Sequence, residues 1–194
     1  LDESLRIDRI KALNLETFKA DISLLASYPS LESLSIHGAE LEDLKELEIL
    51  PCLKSLKLFD ADNLEEITEL KHFPDLQDLE LNNLDNLEYL RVCDHPSLKS
   101  FELNTFSWES KIEELWIQDC PQLESLNIGI EEIGEDPVFC NLSNLTDFQF
   151  YAGLGFQCFT LENCPCLIDI LVGGDALARI SGLEDLHHLE TFEL

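Results

Sequence analysis

Seven cysteines and five histidines are the side chains best suited to chemistry in this 194-residue chain, and their spacing decides what is open to them. The cysteines are Cys52, Cys93, Cys120, Cys140, Cys158, Cys164 and Cys166. An odd number cannot close a complete disulfide framework, which favours a reducing compartment with buried thiols. Cys164 and Cys166 flank a single residue and no Cys-x-x-Cys pair exists, so four converging zinc ligands are not indicated. His72 and His95 stand just before Pro74 and Pro96, where a structural role in a turn is expected. His37 stands alone, and His187-His188 would need partner ligands that the spacing does not supply. Asp60-Ala-Asp62 lacks the ligand spacing of a calcium loop. With 40 carboxylates present, proximity of any two in sequence says nothing about acid–base catalysis. No Ser-His-Asp order, phosphate loop or metalloprotease motif occurs, and Gly173-Gly174 reads only as a turn. The expectation is a chain with no catalytic, metal or cofactor site, and not an enzyme.

The 40 acids face only 12 bases, a net charge of −28. Phosphate contacts need Lys and Arg, so nucleic acid is excluded as the expected ligand, as is a polybasic contact with anionic lipid. No apolar window is long enough to span a membrane. A surface this acidic steers a basic protein toward itself. The first residues, LDESLRIDRI, carry no signal-peptide pattern, and the chain contains no Met. The expectation is a piece of a longer protein, with a cytoplasmic location and secretion as the alternative. The sequons Asn141-Leu-Ser143 and Asn144-Leu-Thr146 matter only under secretion.

What positions these residues is a repeat. The pattern apolar, two variable, apolar, one variable, apolar occurs at Ile10-Leu13-Leu15, Leu31-Leu34-Ile36, Leu53-Leu56-Leu58 and Leu76-Leu79-Leu81. It continues at Leu98-Phe101-Leu103, Leu123-Leu126-Ile128, Leu145-Phe148-Phe150, Leu167-Ile170-Val172 and Leu189-Phe192-Leu194. Successive copies start 21 to 25 residues apart, most often 22. Proline sits two residues ahead of six copies, at Pro29, Pro51, Pro74, Pro96, Pro121 and Pro165. A residue without a backbone donor belongs at strand starts and turns, so the chain turns once per repeat.

A second ladder runs half a repeat out of phase: Leu87-Leu90-Val92, Ile112-Leu115-Ile117, Phe156-Phe159-Leu161 and the weaker Leu177-Ile180. The corresponding early segments, Leu41-Leu44-Leu47 and Leu64-Ile67-Leu70, have three-residue spacing that predicts short helices. One short strand cannot bury its apolar face alone, so the turns must stack at about 4.8 Å and share one long core. Helices behind the strands predict stronger bending over residues 10–75 than over 87–194.

Leu53-Lys-Ser-Leu56-Lys-Leu58 and Ile112-Glu-Glu-Leu115-Trp116-Ile117-Gln-Asp-Cys120-Pro121-Gln-Leu123 resemble the leucine-rich-repeat superfamily, over essentially the whole chain. The Cys-Pro-x-Leu form is similar to the irregular repeats of plant immune receptors. The doubled rhythm is similar to bacterial repeats with two strands per turn. Both resemblances stay open. They imply an α/β, β-rich solenoid over 1–194: a curved parallel sheet of about nine short strands, backed by short helices early and by strands or irregular segments later. The family has Asn or Cys at the ninth repeat position. Cys120 and Cys164 fit, whereas Ala39, Ala61 and Leu84 depart from it, and the insert Asn104–Lys111 is expected to shift the phase. The chain stops at Leu194 inside an apolar pattern, an end that a continuing chain or a partner would cover.

Alternation places the third, fifth and seventh repeat positions outward. The expected partner-binding residues are His37, Lys57, Phe59, Asp78, Glu80, Glu102, Asn104 and Tyr151, with the two aromatics as anchors and the acids as a track for Lys or Arg. Trp116 is expected to face outward from the second ladder, and Trp108 to pack under a loop. The resemblance implies protein recognition through a concave sheet face, as the sensing region of a larger receptor. The alternatives are an acidic inhibitor of a basic enzyme such as a nuclease or toxin, and a substrate-recruiting arm of a larger enzyme.

Overall fold

A computed structural model describes residues 9–16, 22–38, 40–68, 70–105, 107, 110–174 and 179–194. Ala39, Trp108 and Leu177 lie outside the described residues. Every described strand pairs in parallel with the strand one turn away, in two sheets that face each other across the core. The first sheet runs through Ala12–Leu15, Ser33–His37, Ser55–Phe59, Asp78–Asn82, Ser100–Thr105, Ser125–Ile133, Asp147–Leu154, Asp169–Gly173 and Thr191–Glu193. Lys111–Ile112 joins it beside Ser125–Ile133. The second sheet orders Arg179–Ser181, Cys158–Glu162, Val138–Cys140, Glu114–Gln118, Tyr89–Cys93 and Glu66–Ile67. This is the β-rich solenoid of parallel strands that the resemblance implied, with turns of about 22 residues.

Register explains why the ladders recur. Leu34, Leu56, Leu79, Phe101, Leu126, Phe148 and Ile170 are Cα partners in one unbroken rung row, and each is buried. Ile36, Leu58, Leu81, Leu103, Ile128, Phe150 and Val172 form the next row inward of the same strands. Each fully buried leucine contributes roughly 1.5–3 kcal/mol, and only the neighbouring turns supply the cover that makes it buried. Toward the C-terminal turns phenylalanine replaces leucine. Phe139 meets Phe148 edge-on at 5.0 Å, bridging the two sheets, and Phe150 meets Phe156 edge-on at 5.2 Å.

Two expectations need correction. The segment Leu64–Leu70 does not form a helix. Glu66–Ile67 is a strand that opens the second sheet, and only Leu70–His72 coils, as a 3-10 turn. The expected helix at Leu41–Leu47 is present as a 3-10 helix, Leu44–Ile49, capped by Asp43 with Glu46 returning to the cap backbone. The insert after Asn104 also leaves the phase intact. Ser100 pairs with Ser125 and Asn104 with Gly129, so the first ladder is continuous to the end of the described chain.

The eighth repeat position decides where each turn bends. In the early turns it is Gly38, Asp60 and Asn83, all in the left-handed region with φ of 67°, 55° and 55°. The first sheet's strand stops there. In the later turns the same position holds Thr105, Ile130 and Ala152, which are buried and stay in the strand. A Cβ disfavours positive φ, most strongly in the branched Thr105 and Ile130, so those strands run on and the bend moves to the second sheet. There Asp94, Asp119, Asn141 and Asn163 take φ of 55° to 57°. Asn and Asp are the side chains that tolerate this conformation, and their side chains also bind one another along the stack. Asn83 Nδ2 donates to Asp60 Oδ1 at 3.0 Å, Asn141 to Asp119 at 2.7 Å and Asn163 to Asn141 at 2.8 Å. Gly155, at φ 103°, is required by a close approach as well, since a Cβ there would stand 1.9 Å from the Ile133 carbonyl oxygen.

The ninth position follows the bend into the core. Ala61, Leu84, His95, Cys120, Leu142 and Cys164 are all buried. His95 Nδ1 accepts the Leu98 N–H at 3.1 Å, so its proton resides on Nε2, which donates to the Phe73 carbonyl at 3.0 Å. Burial holds its pKa below the ordinary value. Cys120 Sγ donates to the Gln118 carbonyl at 3.3 Å and Cys164 Sγ to the Glu162 carbonyl at 3.4 Å, and burial pushes each thiol up to about 11. All seven cysteines are free.

Two stability predictions follow from the corners. Asp119 has no donor to offer Asp94 one turn below, so the Asx ladder is interrupted by two stacked carboxylates. Asp119→Asn restores the donor and keeps the acceptor for Asn141. It is expected to stabilise by about 0.5–1 kcal/mol in urea unfolding, whereas Asp119→Ala destabilises. His95 is neutral when folded. Below its unfolded pKa near 6.5 the unfolded chain binds a proton that the folded chain refuses. Its stability contribution is therefore complete above that pH and declines as pH falls. His95→Gln, measured between pH 7 and 5.5, is expected to show a shallower loss of stability than the parent; an equal slope would remove His95 as the cause.

Candidate protein-binding surface

The outward positions of the first sheet line up as three columns, because each strand repeats the same alternation in register. The third-position column reads Ala12, Ser33, Ser55, Asp78, Ser100, Ser125, Asp147, Asp169 and Thr191. The fifth reads Asn14, Ser35, Lys57, Glu80, Glu102, Asn127, Gln149, Leu171 and Glu193. The seventh reads His37, Phe59, Asn82, Asn104, Gly129, Tyr151 and Gly173. All eight residues expected from the sequence lie on this one face.

They form two groups rather than one. The early group is His37, Phe59, Lys57, Asp78, Glu80, Glu102 and Asn104. His37 and Phe59 stack with ring centroids 4.3 Å apart and planes 7° from parallel, which half-buries the phenylalanine. Lys57 is ion-paired with Glu80 across the strands, and the Glu80 carboxylate raises the lysine's pKa. Asn82 donates to Glu80 at 3.0 Å and Asn104 to Glu102 at 2.7 Å, so both carboxylates are held in fixed orientations. The expected acidic track is thus partly neutralised, and Asp78 and Glu102 carry its outward charge. A shallow groove of about 350 Å³ runs between Lys57, Asp78, Glu80 and Glu102.

Tyr151 belongs to the later group, four rungs from Phe59, roughly 19 Å at about 4.8 Å per rung. It is 46% exposed, beside Leu171 at 45%. Its ring lies over Gly173, where a Cβ would come within 2.6 Å of Tyr151 Cδ2. A hollow of about 180 Å³ opens between Asn104, Asn127, Gly129, Gln149, Tyr151 and Leu171. A neighbouring hollow of about 270 Å³ is lined by Asp147, Gln149, Asp169, Leu171, Thr191 and Glu193. Gln149 Nε2 donates to Asp147 Oδ1 at 3.3 Å. Leu171 is not among the binding residues expected from the sequence, and Gly173 is expected there only as a turn. The signal available was an apolar residue standing in a polar column at a fifth position; Gly173 reads as a turn residue but ends a strand.

The second sheet has its own outward surface. Trp116 faces outward as expected, with the Arg91 guanidinium 4.8 Å above its ring and Arg91 ion-paired to Glu114. His187 and His188 are exposed, and among the described residues no group of three or more His, Cys, Asp or Glu could hold a metal ion. No helix of the described residues is long and apolar enough to cross a membrane.

The Lys57–Glu80 pair is exposed, so its loss is expected to change stability little. Lys57→Met should shift unfolding free energy by no more than about 0.5 kcal/mol, while making the early group more acidic. A larger loss in thermal or urea unfolding would show that the pair holds the strands together rather than shaping the surface.

No protein-family model and no curated protein matches the chain. Among solved structures it is similar to internalin C2 of Listeria monocytogenes str. 4b F2365, at 16% identity over 96% of this chain and 72% of that one, with a TM-score of 0.45.

Proposed function

We propose that this chain is a protein-recognition scaffold: one solenoid domain over 1–194 that binds a protein partner through the outward face of its first sheet. The observation that carries the reading is the in-register face itself. Its three columns present partly exposed aromatics, oriented carboxylates and small residues side by side over nine strands. That mixture has the character of an interface, with a few anchors in a polar surround. The reading is binding rather than catalysis, and it includes His37, Lys57, Phe59, Asp78, Glu80, Glu102, Asn104 and Tyr151 as contact residues. The partner is a protein with a basic surface, because a net charge of −28 repels acidic ones and accelerates encounter with basic ones. In a larger receptor this face would serve as the sensing region. The same charge also fits an inhibitor of a basic enzyme.

The test compares captured partners across three versions of the chain. The parent and Trp116→Ala, altered on the opposite sheet, are expected to retain the same basic proteins. A first-sheet variant carrying Asp78→Lys and Glu102→Lys, which changes the net charge only from −28 to −24, is expected to bind them at least tenfold more weakly while keeping salt-dependent association. Capture that survives the first-sheet changes and fails with Trp116→Ala would move the interface to the second sheet.

A further inference from the structure

The early and later groups on the first sheet differ in a way that points to a partner chemistry. The early carboxylates are tied down, Glu80 by Lys57 and Asn82, and Glu102 by Asn104. The two early aromatics are spent on each other. In the later group the apolar surface is open. Tyr151 and Leu171 are each nearly half exposed, on adjacent strands, around a hollow whose floor is the buried Ile128 and Phe150. At about 180 Å³ it exceeds the roughly 150 Å³ cavity known to accept a benzene ring. Its walls carry the amides of Asn104, Asn127 and Gln149 and no charge. Beside it, sharing Gln149 and Leu171, lies a second hollow rimmed by Asp147, Asp169 and Glu193 with no basic side chain among its lining residues.

We propose that these two hollows form one bipartite docking site for a basic segment of the partner protein. An aromatic or aliphatic side chain seats between Tyr151 and Leu171, and a Lys or Arg side chain lies over Asp147, Asp169 and Glu193. This rests on the reading of the sheet face as protein-binding and makes it specific. The apolar hollow sits between the fifth and seventh columns and the acidic one between the third and fifth. Their centres are therefore offset by one two-residue step along the strands, about 7 Å, and by a little over one rung across them, which places them roughly 9 Å apart. An extended peptide crossing the strands obliquely points residues i and i+2 to the same side about 7 Å apart, and the long side chain of a Lys or Arg spans the remaining offset. The recognised pattern is an apolar residue and a basic residue separated by one. Charge complementarity identifies the occupant: an acidic segment would meet the three carboxylates, of which Asp147 has only the Gln149 amide and no lining residue supplies a cation, and a purely apolar one would cover their charge without a counter-ion.

The probe is acetyl-Gly-Ser-Phe-Ser-Arg-Ser-Gly-amide, titrated to about 5 mM into the isotopically labelled chain and followed by NMR. Saturable shifts of the Gly129 and Gly173 amides and the Leu171 methyls are expected. Replacing Phe by Ser, replacing Arg by Glu, or making Phe and Arg adjacent should each weaken binding at least threefold. Asp169→Asn and Leu171→Ser, both at exposed positions, should each weaken it about tenfold. Gly173→Ala, which displaces the Tyr151 ring, should remove the Phe preference but keep the Arg preference. Equal shifts from the parent peptide and its controls, or none, would overturn the bipartite site. Shifts centred on Phe59 and Glu80 would also overturn it while leaving the sheet-face reading intact. Loss of partner capture in Trp116→Ala alone would overturn that wider reading instead.

Discussion

Parallel pairing of each strand with its counterpart about 22 residues away is the constraint on which everything else in this molecule rests. No turn owns a core. Leu56 is buried only because Leu34 lies on one side and Leu79 on the other, and the same holds along the whole row. A slip of one residue at any strand would turn its leucines to solvent and its acids inward. The register is therefore protected by many small contributions rather than one large one. The apolar rows supply most of the burial energy. The corner ladder of Asp60–Asn83 and Asp119–Asn141–Asn163 supplies direction, because each amide donates to the residue one turn back. His95 adds a third tie by bonding the Phe73 carbonyl across turns.

Much of this was legible beforehand, for a physical reason. Burial imposes a two-residue alternation within strands and a fixed spacing between turns, and both are visible in a linear string. The nine copies of the first ladder, the outward columns and the outward Trp116 all follow from it. The bends were less legible. Leu64-Ile67-Leu70 satisfies a helical spacing as well as a strand that ends at Ile67, and three apolar residues cannot separate the two. What decides is the corner residue. A column of Gly38, Asp60 and Asn83 stops the first sheet's strands early, whereas Thr105, Ile130 and Ala152 let them run on. That switch was present in the sequence at the eighth position. It is hard to notice because the ninth position draws attention by its departures from Asn.

The candidate surface was legible as a set of positions but not as a set of interactions. Alternation says that Lys57, Glu80 and Glu102 face outward. It does not say that Lys57 spends its charge on Glu80, or that His37 covers one side of Phe59, because both contacts join residues 22 or 23 positions apart. Glycine is the extreme case. Gly173 carries no side chain to report, yet its bareness is what lets the Tyr151 ring lie down beside Leu171. The longer later strands matter here too. Asp147–Leu154 carries the sheet past Tyr151, so that its ring lies on a paired strand rather than on a loop.

The distribution of charge separates speed from selectivity on this face. Forty acids give a field that every basic protein feels at long range, so attraction alone cannot choose among partners. Choice has to come from short-range features that charge does not supply. On the early turns those features are largely satisfied internally, and a partner would have to break the Lys57–Glu80 pair or the Asn104–Glu102 bond to use them. On the later turns the apolar surface is exposed at a cost in water contact that only a complementary side chain recovers. In the binding we propose, the two halves of the face would therefore contribute at different stages. Acids spread over the whole surface would set how often a basic partner arrives, and the exposed pair Tyr151 and Leu171 would set how long it stays.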